Sequence, residues 1–508
     1  MCRSPIGYSD VKVHQRQSDA GVASRSLFFA VAAVGVESTM VPELQIVHVR
    51  IQSEAGEEAI PARIRIATPD GRYWPPAGCP EHVPPQADAR YAGNVLLHDQ
   101  PWAYLGEQRE FVLPSGPLHV HISAGPAYEL FQETIVRQPG QIALRFRLKR
   151  CAEPLEPGWY AGDAHVSDWP LGAAALEGAA EGLHLVHVLV EQDPRSGVAS
   201  QLVDFSAQQP ALVRFGCQVY VATRNCHPWL GCLHLLNCHR VVLPLTLPRP
   251  GFERYTLYDW ARQCHRKGGL VIWPEFDKAG AEHLTDLLLG QVDAVEWSAM
   301  HAWTSDTLSA YYRLLGLGLA VPIVGSSGKR TADTPIGAVR TYAWLGSAPF
   351  TYRAWIEAIR RGQSYASAGP QLHWTVNDHP PGGHILPAPD RVRLMLRVLG
   401  APGGQVEVVG NGSVLASYPV PGSYVFSAPV TTPGWLALRV WQGGQLMAHT
   451  APTILGKPHR EREAVAWALA NLGDFEKRVT DVGTPAADVL AQRIRQARTH
   501  LLGRSGQA

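Results

Sequence analysis

The sequence predicts an α/β protein: a distorted (β/α) barrel flanked by N-terminal and C-terminal β-sandwich domains, with a C-terminal helical extension. Three observations lead there. Between residues 44 and 148 apolar and polar positions alternate with period two, as half-buried strands require. Between Trp159 and about Ala368 short apolar runs alternate with helical stretches, which asks for parallel strands joined by crossover helices. From Arg391 the strand alternation returns, and after Pro458 the texture turns helical.

Taken in order, residues 1–39 read as an unstructured extension or a weak signal segment, because Leu27–Val36 is apolar but no small-x-small cleavage site follows. Translation starting at Met40 is the simpler expectation. The first sandwich spans 40–150, with Val47, Val49 and Ile51 alternating and ARIRIA at Ala62–Ala67 doing the same. The barrel spans 158–370. Its expected strands are Leu183–Val190, Gln218–Thr223, Val241–Leu245, Leu270–Trp273, Val292–Glu296 and Ala320–Val324, with helices at Leu257–Lys267 and His283–Leu289. The second sandwich spans 371–456, and the helical tail 457–508 carries an apolar stripe of Leu490, Ile494, Ala497 and Leu501.

At 508 residues the chain is too long for one core. Its 45 Lys+Arg against 44 Asp+Glu leave a net charge of +1, so composition supplies no electrostatic reason to expect nucleic acid or an anionic membrane as partner. No apolar run approaches the roughly 20 residues needed to span a bilayer. Eight cysteines are too few for a disulfide framework at this length. Oligomeric state is open. A cytoplasmic location is the expectation, or secretion if residues 1–39 act as a signal.

In a parallel barrel the chemistry sits at the C-terminal strand ends. Those ends carry Asp163, His165 and Asp168; Glu191; Arg224, Asn225 and His227; Glu275 and Asp277; Glu296 and His301; Ser326, Ser327 and Lys329. Lys329 and Arg330 in the loop GSSGKR suit an anionic substrate group, or a solvated basic loop. His119-Val-His121 lies in a sandwich strand and reads as surface.

The segment GWYAGDAHVSD at Gly158–Asp168 resembles the GWYxGDLHVH opening of the CehA/McbA-type metallohydrolases, relatives of the polymerase-and-histidinol-phosphatase (PHP) superfamily. AEGLHLVHVLV, GGLVIWPE, VDAVEWSAMH, PIGAVRTY and TYRAWIEAIRRGQSYASAGP resemble later pieces in the right order. The resemblance implies a PHP-like barrel, a metal-dependent hydrolase of an ester, amide or phosphoester, and a first sandwich like the carboxypeptidase regulatory module. Taken with position at the strand ends, it suggests catalytic roles for Asp163, His165 and Glu275 and substrate contacts from Arg224, His227, Ser326 and Lys329. Glu275 stands where the family commonly has His-Pro, and the groups left to ligate a metal are His165, Glu275 and His301, or Asp163 in place of His301.

The departures matter as much. The second histidine of H-x-H is Ser167 here, Gly231 is followed by Cys232 rather than histidine, and Gly-Ser-Asp has become Gly325-Ser326-Ser327. A hydroxyl is a poor ligand for a divalent ion. One divalent ion (Zn, Mn or Fe) or none are both left open, with Cys232 as a further thiolate ligand if an ion is held. The alternative function is a catalytically inactive barrel that binds a ligand or serves as a scaffold. His165, Glu275 and His301 should converge on one point if they hold an ion, and alanine at His165 or Glu275 should lower copurifying metal.

Overall fold

The computed structural model describes residues 43–503 apart from 57, 152–156, 194–195, 277–280, 431 and 458. The expected extension over 1–39, and Asp277, lie outside the described residues. Leu44–Ser53 buries Val47, Val49 and Ile51 on one face. It pairs antiparallel with Arg109–Pro114 and parallel with Ala143–Leu148 in a three-stranded sheet. A five-stranded sheet holding Ala62–Ala67 and Gly116–Ser123 packs its apolar face against it, with Ile64, Leu118, Val120, Phe111 and Phe146 in a common core. His119 and His121 take the opposite face, His119 against Thr134 Oγ1 at 2.8 Å.

The middle of the chain does not form the (β/α) barrel that its alternating texture predicts. Sixteen strands make one continuous mixed sheet that curls into a half-barrel. Along it run Ile323–Ser326, Ala294–Ser298, Leu270–Trp273, Gly231–Leu236, Cys217–His227, Leu185–Val190, Trp159–Ser167, Arg340–Trp344 and Ser364–Ser367. Two local choices defeat the barrel. Cys217–His227 and Gly231–Leu236 pair antiparallel across a turn too short for a crossover helix. Ser364–Ser367 pairs antiparallel with Gln445–Thr450, leading the sheet into the C-terminal β layers instead of closing it. Val241–Leu245, expected as a strand, is not one: Pro244 has no N–H to give a ladder.

The curl is held at its open seam by backbone bonds, Ser167 N–H to Lys329 O at 2.8 Å and Gly328 N–H to His165 O at 3.0 Å. Gly325 is required there, because a Cβ would fall 2.5 Å from Arg340 O. Helix Tyr352–Arg360, capped by Thr351, buries Trp355, Ile356 and Ile359 against Ala164, Leu185, Leu189, Leu236 and Ile272. Each such side chain contributes roughly 1.5–3 kcal/mol on burial. Helices Arg462–Val482 and Ala487–Gly503 end the described chain, the second burying Leu490, Ile494, Ala497 and Leu501. No helix of the described residues is long and apolar enough to cross a membrane.

His187, His283 and His449 are buried as neutral rings. His187 bridges Asp163 O and Tyr352 Oη, His283 bonds Cys232 O, and His449 bonds Thr450 O and Tyr312 Oη. Burial pushes His187 and His283 down to about 4 and His449 to about 3. The folded values lie below the unfolded one, so their stability contribution is complete above about pH 6.5 and is lost as pH falls through these values. Each proton taken up on unfolding contributes a slope of about 1.4 kcal/mol per pH unit in that window. Urea midpoints measured from pH 7 to 4 should fall accordingly, and His449→Gln should flatten the fall.

Candidate functional site

A bulge builds the site. The pairing of Trp159–Ser167 with Leu185–Val190 shifts register between Val186 and Val188, so Gly162 opposes Leu185 while Ser167 opposes Leu189. The extra residue turns His165 and Ser167 onto the face that Gly162 occupied below it. Glu296 comes from the centre of Ala294–Ser298, and His234 from Gly231–Leu236.

His165, His234 and Glu296 converge: one ligand atom from each lies within 4.8 Å of the others. All three are buried. Glu296 Oε1 accepts from Ser326 Oγ at 2.5 Å and lies 3.0 Å from His165 Nδ1, while Oε2 accepts from the Glu275 N–H at 2.8 Å. Burial alone would raise the Glu296 carboxyl, but His234, His165 and these hydrogen bonds overcome it and hold the group well below the usual carboxylate range. His165 Nε2, on the other side of the ring, lies 3.0 Å from Ser167 Oγ.

His234 is the anomaly. It is fully buried, its Nδ1 is 3.8 Å from Glu296 Oε1, and neither ring nitrogen has a hydrogen-bond partner. Burial, with His165 beside it, holds this imidazole well below its ordinary value. A buried unpaired polar group costs about 1–3 kcal/mol, so a neutral ring placed this way next to a carboxylate is a poor structural element and a good ligand. Two imidazoles and one carboxylate fit a single Zn, Mn or Fe ion by donor chemistry.

Around this centre lies a charged rim. Glu191 Oε1 meets Arg330 at 2.7 Å, Arg224 at 3.4 Å and Ser167 Oγ at 3.2 Å. Burial raises the Glu191 carboxyl, and the two guanidinium groups outweigh it and lower it on balance. Arg224 also pairs with Glu275 at 3.2 Å, and its Nε is buried without a partner. Asp163 lies beneath. It is fully buried and accepts the N–H groups of His165, Ser327 and Gly337 at 3.0, 3.1 and 2.8 Å, tying the first strand to the loop after Ile323–Ser326. Burial raises its carboxyl against the pull of those bonds.

Of the ligands suggested by sequence, His165 belongs to the cluster. Glu275 and His301 do not converge with it: Glu275 turns to Arg224 from a backbone at φ +49°, and His301 is exposed on the turn after Ala294–Ser298. Of the substrate contacts, Ser326 is buried against Glu296 and Arg224 is on the rim. His227 accepts from Trp229 and Leu230 N–H in its hairpin turn. Lys329 is fully buried, donating to Thr331 O and Thr334 O and lying 4.3 Å from the Trp169 ring, so it cannot meet a substrate at the rim. Cys232 is no thiolate, being bonded to Cys226. The sequence reading missed His234 by stopping at Cys232; the alternation of Gly231–Leu236 places the imidazole two residues further on the same face.

No family model and no curated protein matches the chain. Among solved structures it is similar to a lesion-specific endonuclease, Endonuclease Q of Pyrococcus furiosus, at 13% identity over 40% of this chain and 56% of that one, with a TM-score of 0.26. An Endonuclease Q complex with a 27-mer duplex bearing an abasic lesion matches at 14% identity over the same shares, also at 0.26. A glycosyl hydrolase family 2 member from Bacteroides cellulosilyticus matches at 10% identity over 78% of this chain and 58% of that one, at 0.17. The chain thus spans little more than half of each, and likenesses this low assign no activity; a CehA/McbA-type membership is not established. Net charge is silent about local charge, and Arg224 and Arg330 both face the site.

Proposed function

We propose that this protein is a metal-dependent hydrolase of an anionic ester, a phosphoester above all, working at His165, His234 and Glu296. The observation that carries the reading is His234, buried beside an ionised carboxylate with both ring nitrogens unpartnered. A divalent ion held by these three groups would supply Lewis-acid polarisation of the scissile bond. The chain's own residues do the rest. Ser326 and the Glu275 N–H orient Glu296, and Glu296 orients His165. Asp163 fixes the loop that brings Arg330 to the rim. Arg224 and Arg330, now shared with Glu191, are placed to take an anionic oxygen by charge-assisted bonds.

Bis-p-nitrophenyl phosphate hydrolysis should depend on added Mn or Zn, and His234→Ala should lower it by roughly 100-fold or more. Metal-loaded wild-type rates in the chelator-stripped protein, or in His234→Ala supplied with metal, would refute the reading.

A further inference from the structure

His234 is held by its strand. Neither ring nitrogen has a hydrogen-bond partner, so the place of this imidazole follows the backbone of Gly231–Leu236. In the hairpin with Cys217–His227, His234 stands directly opposite Arg224, and the next pair on the same face is Cys226 opposite Cys232. Those two cysteines are joined in a disulfide. Between the two pairs, Asn225 turns to the other face and donates from Nδ2 to Val242 O and Pro244 O at 2.9 and 3.0 Å. The cross-link therefore sits one step along the ladder from a residue of the ion-binding centre and from a residue of its rim.

A bond between cysteines six residues apart closes a short loop, so it restricts the unfolded chain less than one across a long loop. What it fixes is local. The two strand ends are tied to different neighbours. The Cys226 N–H donates to Leu245 O at 2.9 Å and Cys226 O accepts from the Leu247 N–H at 3.1 Å, while Cys232 O is 2.7 Å from His283 Nε2 on the helix Ala281–Leu288. The disulfide is the covalent tie between them. Both of its cysteines are half-buried and open to a small reductant, whereas Cys238 and Cys264, with Sγ atoms 3.3 Å apart, are fully enclosed.

We propose that the Cys226–Cys232 disulfide is a redox clasp on the ion-binding centre. Closed, it fixes the register that sets His234 opposite Arg224; opened by a dithiol, it lowers the affinity of the centre for a divalent ion. This rests on the metal reading above. Opening takes two electrons and two protons: the S–S bond breaks, each cysteine sulfur becomes a thiol, and the dithiol leaves as its own disulfide. Cys226 and Cys232 are positioning residues that act through His234 and Arg224.

The test is calorimetric titration with Mn, a hard ion that thiols bind poorly. Full-length protein is compared oxidised, reduced with dithiothreitol and desalted under nitrogen, and as the double variant Cys226→Ala with Cys232→Ala. Binding weakened by roughly 10-fold or more is expected in the reduced protein and in the double variant, with the melting temperature lowered by only a few degrees. Reoxidation should restore the wild type and leave the variant unchanged. The reduced wild type carries the test if the double variant misfolds. Unchanged affinity after reduction overturns the proposal, as does a disulfide that thiol counting finds still closed in folded, dithiothreitol-treated protein. Affinity lost only together with the folded state in the reduced wild type assigns the bond a structural role and overturns it as well. A wild type that binds Mn equally tightly oxidised and reduced leaves the metal reading standing and removes this one; an oxidised wild type that binds no Mn removes both.

Discussion

Asp163→Ala is expected to be the most destabilising single change at the site, lowering stability by about 3 kcal/mol or more. The carboxylate is fully buried and satisfies three backbone donors, from His165, Ser327 and Gly337, that belong to segments far apart in the chain. Removing it leaves all three without acceptors in a dry interior, where each unpaired donor costs about 1–3 kcal/mol. Asp163→Asn should lose much less, since its carbonyl oxygen keeps the two bonds to His165 and Ser327. Denaturant midpoints of both variants measure the difference. Equal, small losses would show that the seam between Trp159–Ser167 and the Ser327 loop is held by something other than this carboxylate.

Glu296→Gln should have the largest effect on function with the least on fold. Glutamine is nearly isosteric, and its carbonyl can still accept from Ser326 or the Glu275 N–H, so the strand Ala294–Ser298 should stay in place. What disappears is the negative charge between two imidazoles. Loss of even an outer partner of a metal ligand costs roughly 10–100-fold in affinity, and loss of an anionic ligand should exceed that. Calorimetric titration with Mn or Zn should show binding weakened by more than roughly 100-fold while the melting temperature shifts by only a few degrees. Wild-type affinity in this variant would remove Glu296 from the ligand set.

Several parts of this arrangement are readable in the amino-acid order. ARIRIA forms the strand Ala62–Ala67, LVIW forms Leu270–Trp273, and Thr256 with Asp259 starts the helix Leu257–Arg266 through a reciprocal cap. GWYAGDAHVSD marks the strand that carries His165 and Ser167. The rest depends on pairing, which local pattern does not encode. Parallel and antiparallel neighbours of a fully buried strand read alike, so the hairpin Cys217–Leu236 looked like barrel texture. Lys329 sits in a loop of small and polar residues and looked solvated; its burial comes from Trp169 and Glu177, contributed by the segment after Ser167. His165 and Glu296 are 131 residues apart, and only the curl of the sheet joins them.

That joining is the central claim: His165, His234 and Glu296 form one ion-binding centre. Crystals grown with Mn or Zn and measured at the metal's absorption edge test it directly. The account predicts an anomalous peak about 2.0–2.2 Å from a nitrogen of His165, a nitrogen of His234 and an oxygen of Glu296. A peak at Glu275 or His301 instead, or none at saturating metal, would contradict it.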